Sequence, residues 1–399
     1  MTKINRRRFL RTGAAGAASI VAATGGAFAM FPSGKEPSDI IYRTLGKTGI
    51  RVPVVSMGVM RSDNPSLVRA CMDNGITHFD TANGYQGGRN EKMLGEIFRD
   101  YDRGSFILAT KVKPAGMERR TGLPTDATTV KDFMMKFEES MERLQMDYVD
   151  ILYLHDVSSP EMANHREITQ AMIKLKKEGR VRYLGISTHT NEPEVIDTMV
   201  EAGFWDVVLT RYNFTLSYLD KLEQSIEKAV EAGIGVVAMK TMAGGFLDRE
   251  RTKPVNAVAA LKWSLQNENI CTTIPGMTSF DMLEDDLKVL TDITITEEER
   301  KEIMIASNEQ GLFCTTCNNC LGTCSRSLPV PDLMRAYMYA YGYVNMEKAY
   351  SLLADLGTGP DPCADCSDCT IDNCTKRFDI RTKIADISRL VNVPEDFIT

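Results

Sequence analysis

Between residues 40 and 295, short apolar, β-branched runs alternate with helical patterns at fairly even spacing, and this alternation limits the fold more than any other feature. Strand runs are predicted over 54–58, 76–80, 106–111, 149–155, 181–187, 207–210, 235–239 and 271–274. Between them apolar residues recur three and four apart, as in 128–144, 165–178, 218–232 and 254–266. Eight parallel strands with crossover helices close a barrel. A doubly wound sheet would need fewer strands and usually a glycine-rich phosphate turn, and no Gly-x-Gly-x-x-Gly follows the first strand. The expected fold is α/β, a (β/α)8 TIM barrel over 40–295, preceded by a short hairpin around Leu45-Gly46-Lys47-Thr48-Gly49.

The 399 residues exceed what that barrel needs, and beyond residue 310 the alternation stops. Eight of the ten cysteines lie in the last 86 residues, in two runs: Cys314, Cys317, Cys320 and Cys324, then Cys363, Cys366, Cys369 and Cys374. The first run has the spacing of a bacterial 4Fe-4S ferredoxin motif, in which three close thiolates hold one cluster and the fourth holds the other. Cross-ligation groups Cys314, Cys317, Cys320 and Cys374 around one cluster, and Cys363, Cys366, Cys369 and Cys324 around the second. No proline follows either fourth cysteine, and the second run is one residue longer before Cys374. The stretch 332–356 reads as helical, so 310–385 is expected to be a small, mostly helical ferredoxin-like domain with two 4Fe-4S clusters. Zinc and disulfides are the competing readings. Three evenly spaced cysteines crowd a tetrahedral zinc site, and cysteines three apart in series make poor disulfide pairs. Cys71 and Cys271 read as small buried apolar residues.

Residues 1–29 carry Lys3, Arg6, Arg7, Arg8 and Arg11 and no acid, then a weakly apolar stretch ending in Ala27-Phe28-Ala29. That order is a signal peptide with a small-x-small cleavage site, and Asn5-Arg6-Arg7-Arg8-Phe9-Leu10-Arg11 resembles the twin-arginine export motif. This resemblance implies the twin-arginine machinery as a partner, export of a folded protein with its cofactors loaded, and a periplasmic or otherwise extracytoplasmic location. Removing the segment takes the net charge from −7 to −12. An acidic chain lacks the basic surface that sequence-independent nucleic-acid binding needs. No later stretch has the apolar length of a spanning helix, so no transmembrane segment is expected in the mature chain.

In barrels of this kind chemistry sits at the C-terminal ends of the strands. Asp80 ends the second strand, Tyr85 lies in the following loop, Lys111 ends the third and His155 ends the fourth. The segments His78-Phe79-Asp80-Thr81-Ala82-Asn83-Gly84-Tyr85, Ala109-Thr110-Lys111 and Leu152-Tyr153-Leu154-His155 resemble the catalytic segments of the aldo/keto reductases. The resemblance implies that Tyr85 is the general acid protonating a carbonyl oxygen, that Lys111 lowers the tyrosine pKa, that Asp80 pairs with and orients Lys111, and that His155 hydrogen-bonds the substrate oxygen. A phenol near pKa 10 is a weak acid at neutral pH, and an adjacent ammonium moves it toward the working range. His165 reads as a helix-surface residue and His189 as a loop residue near the mouth.

The same resemblance assigns Ser187, Thr188, Asn213 and Gly276 to a nicotinamide cofactor. It also puts Leu209 where the family has a carboxamide-binding Gln, Met239 where an aromatic stacks on the ring, and Gly276 and Met282 where basic residues hold phosphate. Asp281, Glu284, Asp285 and Asp286 surround that last stretch, which disfavours the 2'-phosphate of NADPH and leaves NADH or no dinucleotide. Lys240, beside Met239, is a further candidate charge at the mouth.

Two functions follow as expectations. The first is an exported oxidoreductase acting on a small carbonyl or alcohol at the tetrad, with two clusters handling electrons and a redox partner protein exchanging them. The second is a non-catalytic iron-sulfur electron-transfer or scaffold protein on a vestigial reductase barrel.

Overall fold

The computed structural model describes residues 39–248, 252–308, 314, 317–366, 369–371 and 373–398. The segment 1–29, read above as an export signal, lies outside them. An antiparallel hairpin of β1 (Tyr42–Thr44) and β2 (Arg51–Pro53) precedes eight parallel strands. These are β3 (Met57–Gly58), β4 (His78–Asp80), β5 (Ile107–Val112), β6 (Val149–Leu154), β7 (Val181–Thr188), β8 (Val207–Arg211), β9 (Gly235–Met239) and β10 (Ile270–Thr273), paired in chain order. The ring closes where Ser56 N–H donates to Thr273 O at 2.8 Å and Gly58 N–H to Pro275 O at 2.9 Å. The expected first strand over 54–58 is thus mostly a closing seam, with regular ladder only at Met57–Gly58.

Helices cover the outside: α1 (Pro65–Asp73), α2 (Arg89–Phe98), α3 (Val130–Leu144), α4 (Pro160–Ala163), α5 (Arg166–Lys177), α6 (Glu192–Ala202), α7 (Leu219–Glu231), α8 (Ala257–Leu265), α9 (Phe280–Thr291) and α10 (Glu297–Asn308). Strand alternation divides the core in two. Phe79, Leu108, Leu152, Leu184, Ile186, Val208 and Val236 face the helices, whereas Ala109, Ile151, Tyr153, Val207, Leu209 and Val237 fill the barrel. Gly185 makes room for Tyr153, because a Cβ there would lie 2.5 Å from the tyrosine ring. The hairpin plugs the N-terminal end of the barrel: Leu45 is fully buried in the interior cluster, and Tyr183 Oη donates to Thr48 O at 2.7 Å. The other end is left as the mouth.

The C-terminal module has its own core around Leu333, Met334, Tyr337, Leu353, Ile384 and Ile387. The expected helix over 332–356 is broken. α11 (Val330–Tyr337) runs into a π-turn at Met338–Gly342, and Val344 turns left-handed with φ 53°. Asn345 then caps α12 (Met346–Leu356), its side chain accepting from Lys348 N–H at 2.9 Å. Gly342 and Asn345 supply the weak helix former and the cap that restart the chain. α13 (Ile380–Ser388) completes the module. No helix among the described residues is long and apolar enough to cross a membrane.

Candidate active site

The period of two along a strand carries the interior face of each strand up to the mouth. On β5, Ala109 and then Lys111 point inward; on β6, Ile151, Tyr153 and then His155 follow the same face; Asp80 ends the short β4. Lys111 is fully buried, pairs with the Asp80 carboxylate, and donates to Thr81 O at 2.6 Å. Its Nζ lies 3.3 Å from Tyr85 Oη and 4.8 Å from the centre of the tyrosine ring. The Tyr85 and His155 rings meet edge to face with centroids 5.8 Å apart. The four residues picked from the sequence therefore converge on one point.

Electrostatics corrects one expectation. Burial pushes the Tyr85 phenol above its ordinary pKa, and the pull of Lys111 in the other direction only partly offsets this. The tyrosine stays protonated at neutral pH, as an acid must. Burial works against the Lys111 ammonium, but Asp80 and Tyr85 more than compensate and hold it above its usual range. Burial and the Lys111 charge together press His155 well below 6.5, so its imidazole is neutral near pH 7.

A second network lies behind the histidine. Asp156, left-handed at φ 61°, accepts from Lys113 at 2.6 Å and from His189 Nε2 at 2.7 Å. His189 is a mouth residue held near neutrality, its pKa pressed down to about 4 by burial and by Lys240. His165 caps α5 instead, its Nδ1 accepting from Ile168 N–H at 3.4 Å.

The residues assigned to a nicotinamide fare differently. Ser187 is on the mouth face, and its Oγ accepts from Asp156 N–H at 3.0 Å. Thr188 falls on the opposite face with Leu184 and Ile186, is fully buried, and donates to Thr190 O at 3.2 Å. The two-residue period turns it away from the mouth. The Asn213 amide is consumed by Lys240 O at 3.0 Å and by Thr215 at 3.0 and 2.8 Å. Gly276 bridges to Gly58 at the closing seam, where a Cβ would meet Gly58 O at 3.9 Å, an ordinary contact. Leu209 is buried inside the barrel, and Met282, at the position of an expected phosphate-holding base, is exposed. This set does not make a well-fitted nicotinamide site.

Sequence reading missed Arg211, although it shares the inward phase of Val207 and Leu209 and so was open to the same argument. It is buried at the end of β8, where Nε donates to Glu192 at 2.8 Å and a second nitrogen meets Tyr218. Also missed was the roof. Lys348 of α12 acts electrostatically on Tyr85, and Arg335 of α11 acts on His189 and Lys240, which brings the C-terminal module over the mouth. Arg119 bonds Asp355 at 2.7 Å, and Phe246 packs on the module's core.

Within the module two hollows open between the cysteine runs. One, of about 350 Å3 including its open side, is lined by Cys324, Cys363, Cys366 and Cys369. The other, of about 360 Å3, is lined by Cys314, Cys317, Cys320 and Cys374. These are the quartets that the spacing groups, and Ile380 lines both hollows. The two runs are laced together: Thr370 donates to Thr323 O at 2.7 Å, Arg381 to Cys366 O at 2.6 Å, and Thr375 lies 3.4 Å from Cys317 Sγ. All ten cysteines are free thiols, with Cys71 and Cys271 buried in the barrel. Among the described residues no group of three or more His, Cys, Asp or Glu is gathered to hold a metal ion.

A model of the aldo/keto reductase family matches residues 56–259. L-galactose dehydrogenase of Arabidopsis thaliana is 30% identical over 298 residues, covering 64% of this chain and 89% of the relative. L-glyceraldehyde 3-phosphate reductase of Escherichia coli strain K12 is 26% identical over 335 residues, covering 68% and 94%. A holo-form aldo-keto reductase structure from Bacillus halodurans superposes with a TM-score of 0.54 at 25% identity, covering 67% of this chain and 96% of that one. The family match ends before the cysteine-bearing module.

Proposed function

The chain belongs to the aldo/keto reductase family and is an oxidoreductase; from that premise we propose that it interconverts a small carbonyl compound and its alcohol at Asp80, Tyr85, Lys111 and His155, with electrons handled by two 4Fe-4S clusters in the C-terminal module. The observation that carries the catalytic half is the convergence of Tyr85 Oη on Lys111 Nζ at 3.3 Å, beside a neutral His155. Reducing a carbonyl consumes two electrons and two protons. Tyr85 gives the proton that the oxygen takes, and the proton that the carbon takes comes from solvent water. Lys111, held charged by Asp80, stabilises the phenolate left behind, and His155 orients the oxygen by a hydrogen bond.

Cys314, Cys317, Cys320 and Cys374 would hold one cluster and Cys324, Cys363, Cys366 and Cys369 the other. When bound, each cluster exchanges one electron, so the pair matches a two-electron reaction. Support for this reading comes from the thiol quartets around the two hollows, the apolar walls and the module's seat over the mouth. Family members use NAD(P)H, but the misfit of Thr188, Asn213 and Leu209 gives that cofactor no step here. The proposal extends to export: the Arg6-Arg7-Arg8-Phe9-Leu10 motif supports twin-arginine passage of the loaded, folded protein to an extracytoplasmic site, where a redox partner exchanges electrons with it.

The test is a single turnover. Anaerobic protein reduced with dithionite, freed of excess reductant and of nicotinamide, is mixed with a panel of aldehydes and ketones. About one alcohol per chain is expected from two one-electron clusters. Alcohol formed only after NAD(P)H is added overturns the electron route, and an unchanged rate in Tyr85→Phe favours the vestigial-barrel reading.

A further inference from the structure

The tetrad does not account for a second group of charges at the same mouth. Lys240 follows the last residue of β9 and has a left-handed backbone with φ 57°, a conformation that costs a lysine energy and collects at functional sites. The neighbouring strand ends in Arg211, paired in register with Met239. From the C-terminal module, Arg335 and Lys348 come within electrostatic reach of Lys240, and Lys348 also reaches Tyr85. Arg211, Arg335 and Lys348 thus all act on Lys240, whose pKa burial and these neighbouring charges press down to about 7, and Lys348 acts on Tyr85 as well.

The nearby carboxylates are committed elsewhere. Glu192 holds Arg211 at 2.8 Å, and Asp156 is shared between Lys113 at 2.6 Å and His189 at 2.7 Å. Among the described residues the side chains of Lys240 and Arg335 have no hydrogen bond or ion pair, and Lys348 only lies over the Tyr339 ring at 4.5 Å. Asp156 acts on Lys240 and Asp332 on Arg335, but Lys240 stays pressed below its usual range; positive charge gathered at one mouth and offset only in part, in a chain of net charge −7, concentrates anions there and is relieved when one binds.

We propose that Lys240, Arg335 and Lys348 bind the anionic end of the substrate, a carboxylate or phosphate carried by the carbonyl compound or alcohol that Tyr85 serves. The inference rests on the catalytic reading above for its second half, since Tyr85 fixes where the carbonyl lies. Two of the three cations belong to the C-terminal module, so the module forms a wall of the substrate site as well as housing the thiol quartets.

Equilibrium calorimetry on the full holoprotein tests this without requiring turnover. Pyruvate is compared with methyl pyruvate, and dihydroxyacetone phosphate with dihydroxyacetone; whichever pair discriminates identifies the anion. The anionic member is expected to bind at least about tenfold more tightly, with the preference falling about tenfold in Lys240→Met and in Arg335→Met and surviving in Lys240→Arg. Lys348→Met, at an exposed residue, serves as a further variant if a half-buried one melts early, and should halve the preference or more. Equal binding of charged and neutral partners overturns the proposal, as does a preference that Lys240→Met leaves intact. A change confined to titrated NADH, with pyruvate and dihydroxyacetone phosphate unaffected, also overturns it. Anion preference persisting in a protein that turns nothing over would retain the anion site and refute the catalytic reading instead.

Discussion

Replacing Tyr85 with phenylalanine should separate chemistry from stability. The hydroxyl has one hydrogen-bond partner among the described residues, Lys111 Nζ at 3.3 Å, and the ring keeps its edge-to-face contact with His155 at 5.8 Å. A hydrogen bond of that kind contributes about 1 kcal/mol net, and Lys111 retains Asp80 and Thr81 O after the change. Unfolding should therefore shift by roughly 1 kcal/mol, a few degrees in melting temperature for a barrel this large. The general acid is worth about 10²- to 10⁴-fold in rate, or roughly 3–5 kcal/mol of barrier at 1.36 kcal/mol per decade. The assay pairs kcat for carbonyl reduction at pH 7 with a thermal melt on the same preparation. A rate within about fivefold of wild type would refute the assignment of Tyr85 as acid, given the two decades or more expected of one. A large loss of stability would mean that the hydroxyl is structural.

Other perturbations follow from the same geometry. Glu192→Ala removes the carboxylate that pairs with the buried Arg211 guanidinium and should destabilise the fold by about 3–5 kcal/mol, measured by urea unfolding, because one side of a buried ion pair is lost. Asp80→Asn should cost a similar amount while also lowering kcat, in contrast with Tyr85→Phe. His78 is fully buried, bonded to Ser56 Oγ at 3.0 Å, and burial presses its pKa to about 4. A folded pKa below the free value of 6.5 means that its contribution is complete above pH 6.5 and is lost as pH falls toward 4. That loss is about 3 kcal/mol, and His78→Gln should flatten the acid limb of an unfolding series between pH 7 and 4.5.

The barrel was legible because two periods, 2 and 3.6, are written locally along the chain. Predicted strands and observed β5 to β10 agree to within a residue or two at either end. The meeting of Asp80, Tyr85, Lys111 and His155 was legible for a related reason, since strand ends share one mouth whatever the loops do. Thr188 shows the limit of matching residues by position: one step along β7 moves a side chain from the mouth to the helix face. Asn213 shows another limit, because an amide that fixes its own loop looks, in sequence, like one that waits for a ligand. Arg211 obeyed the inward phase and could have been found. Arg335 and Lys348 could not, because nothing local says that α11 and α12 fold back over a mouth built more than a hundred residues earlier. The π-turn at Met338–Gly342 was hidden behind good helix formers on either side.

The central claim, a reductase barrel joined to a two-cluster module, is tested most directly by iron and acid-labile sulfide per chain on anaerobically purified protein, with spectra before and after dithionite. Two thiol quartets predict about eight iron and eight sulfide, with a broad visible absorption that bleaches on reduction. Stoichiometric zinc, or metal-free protein without free thiols, would contradict it.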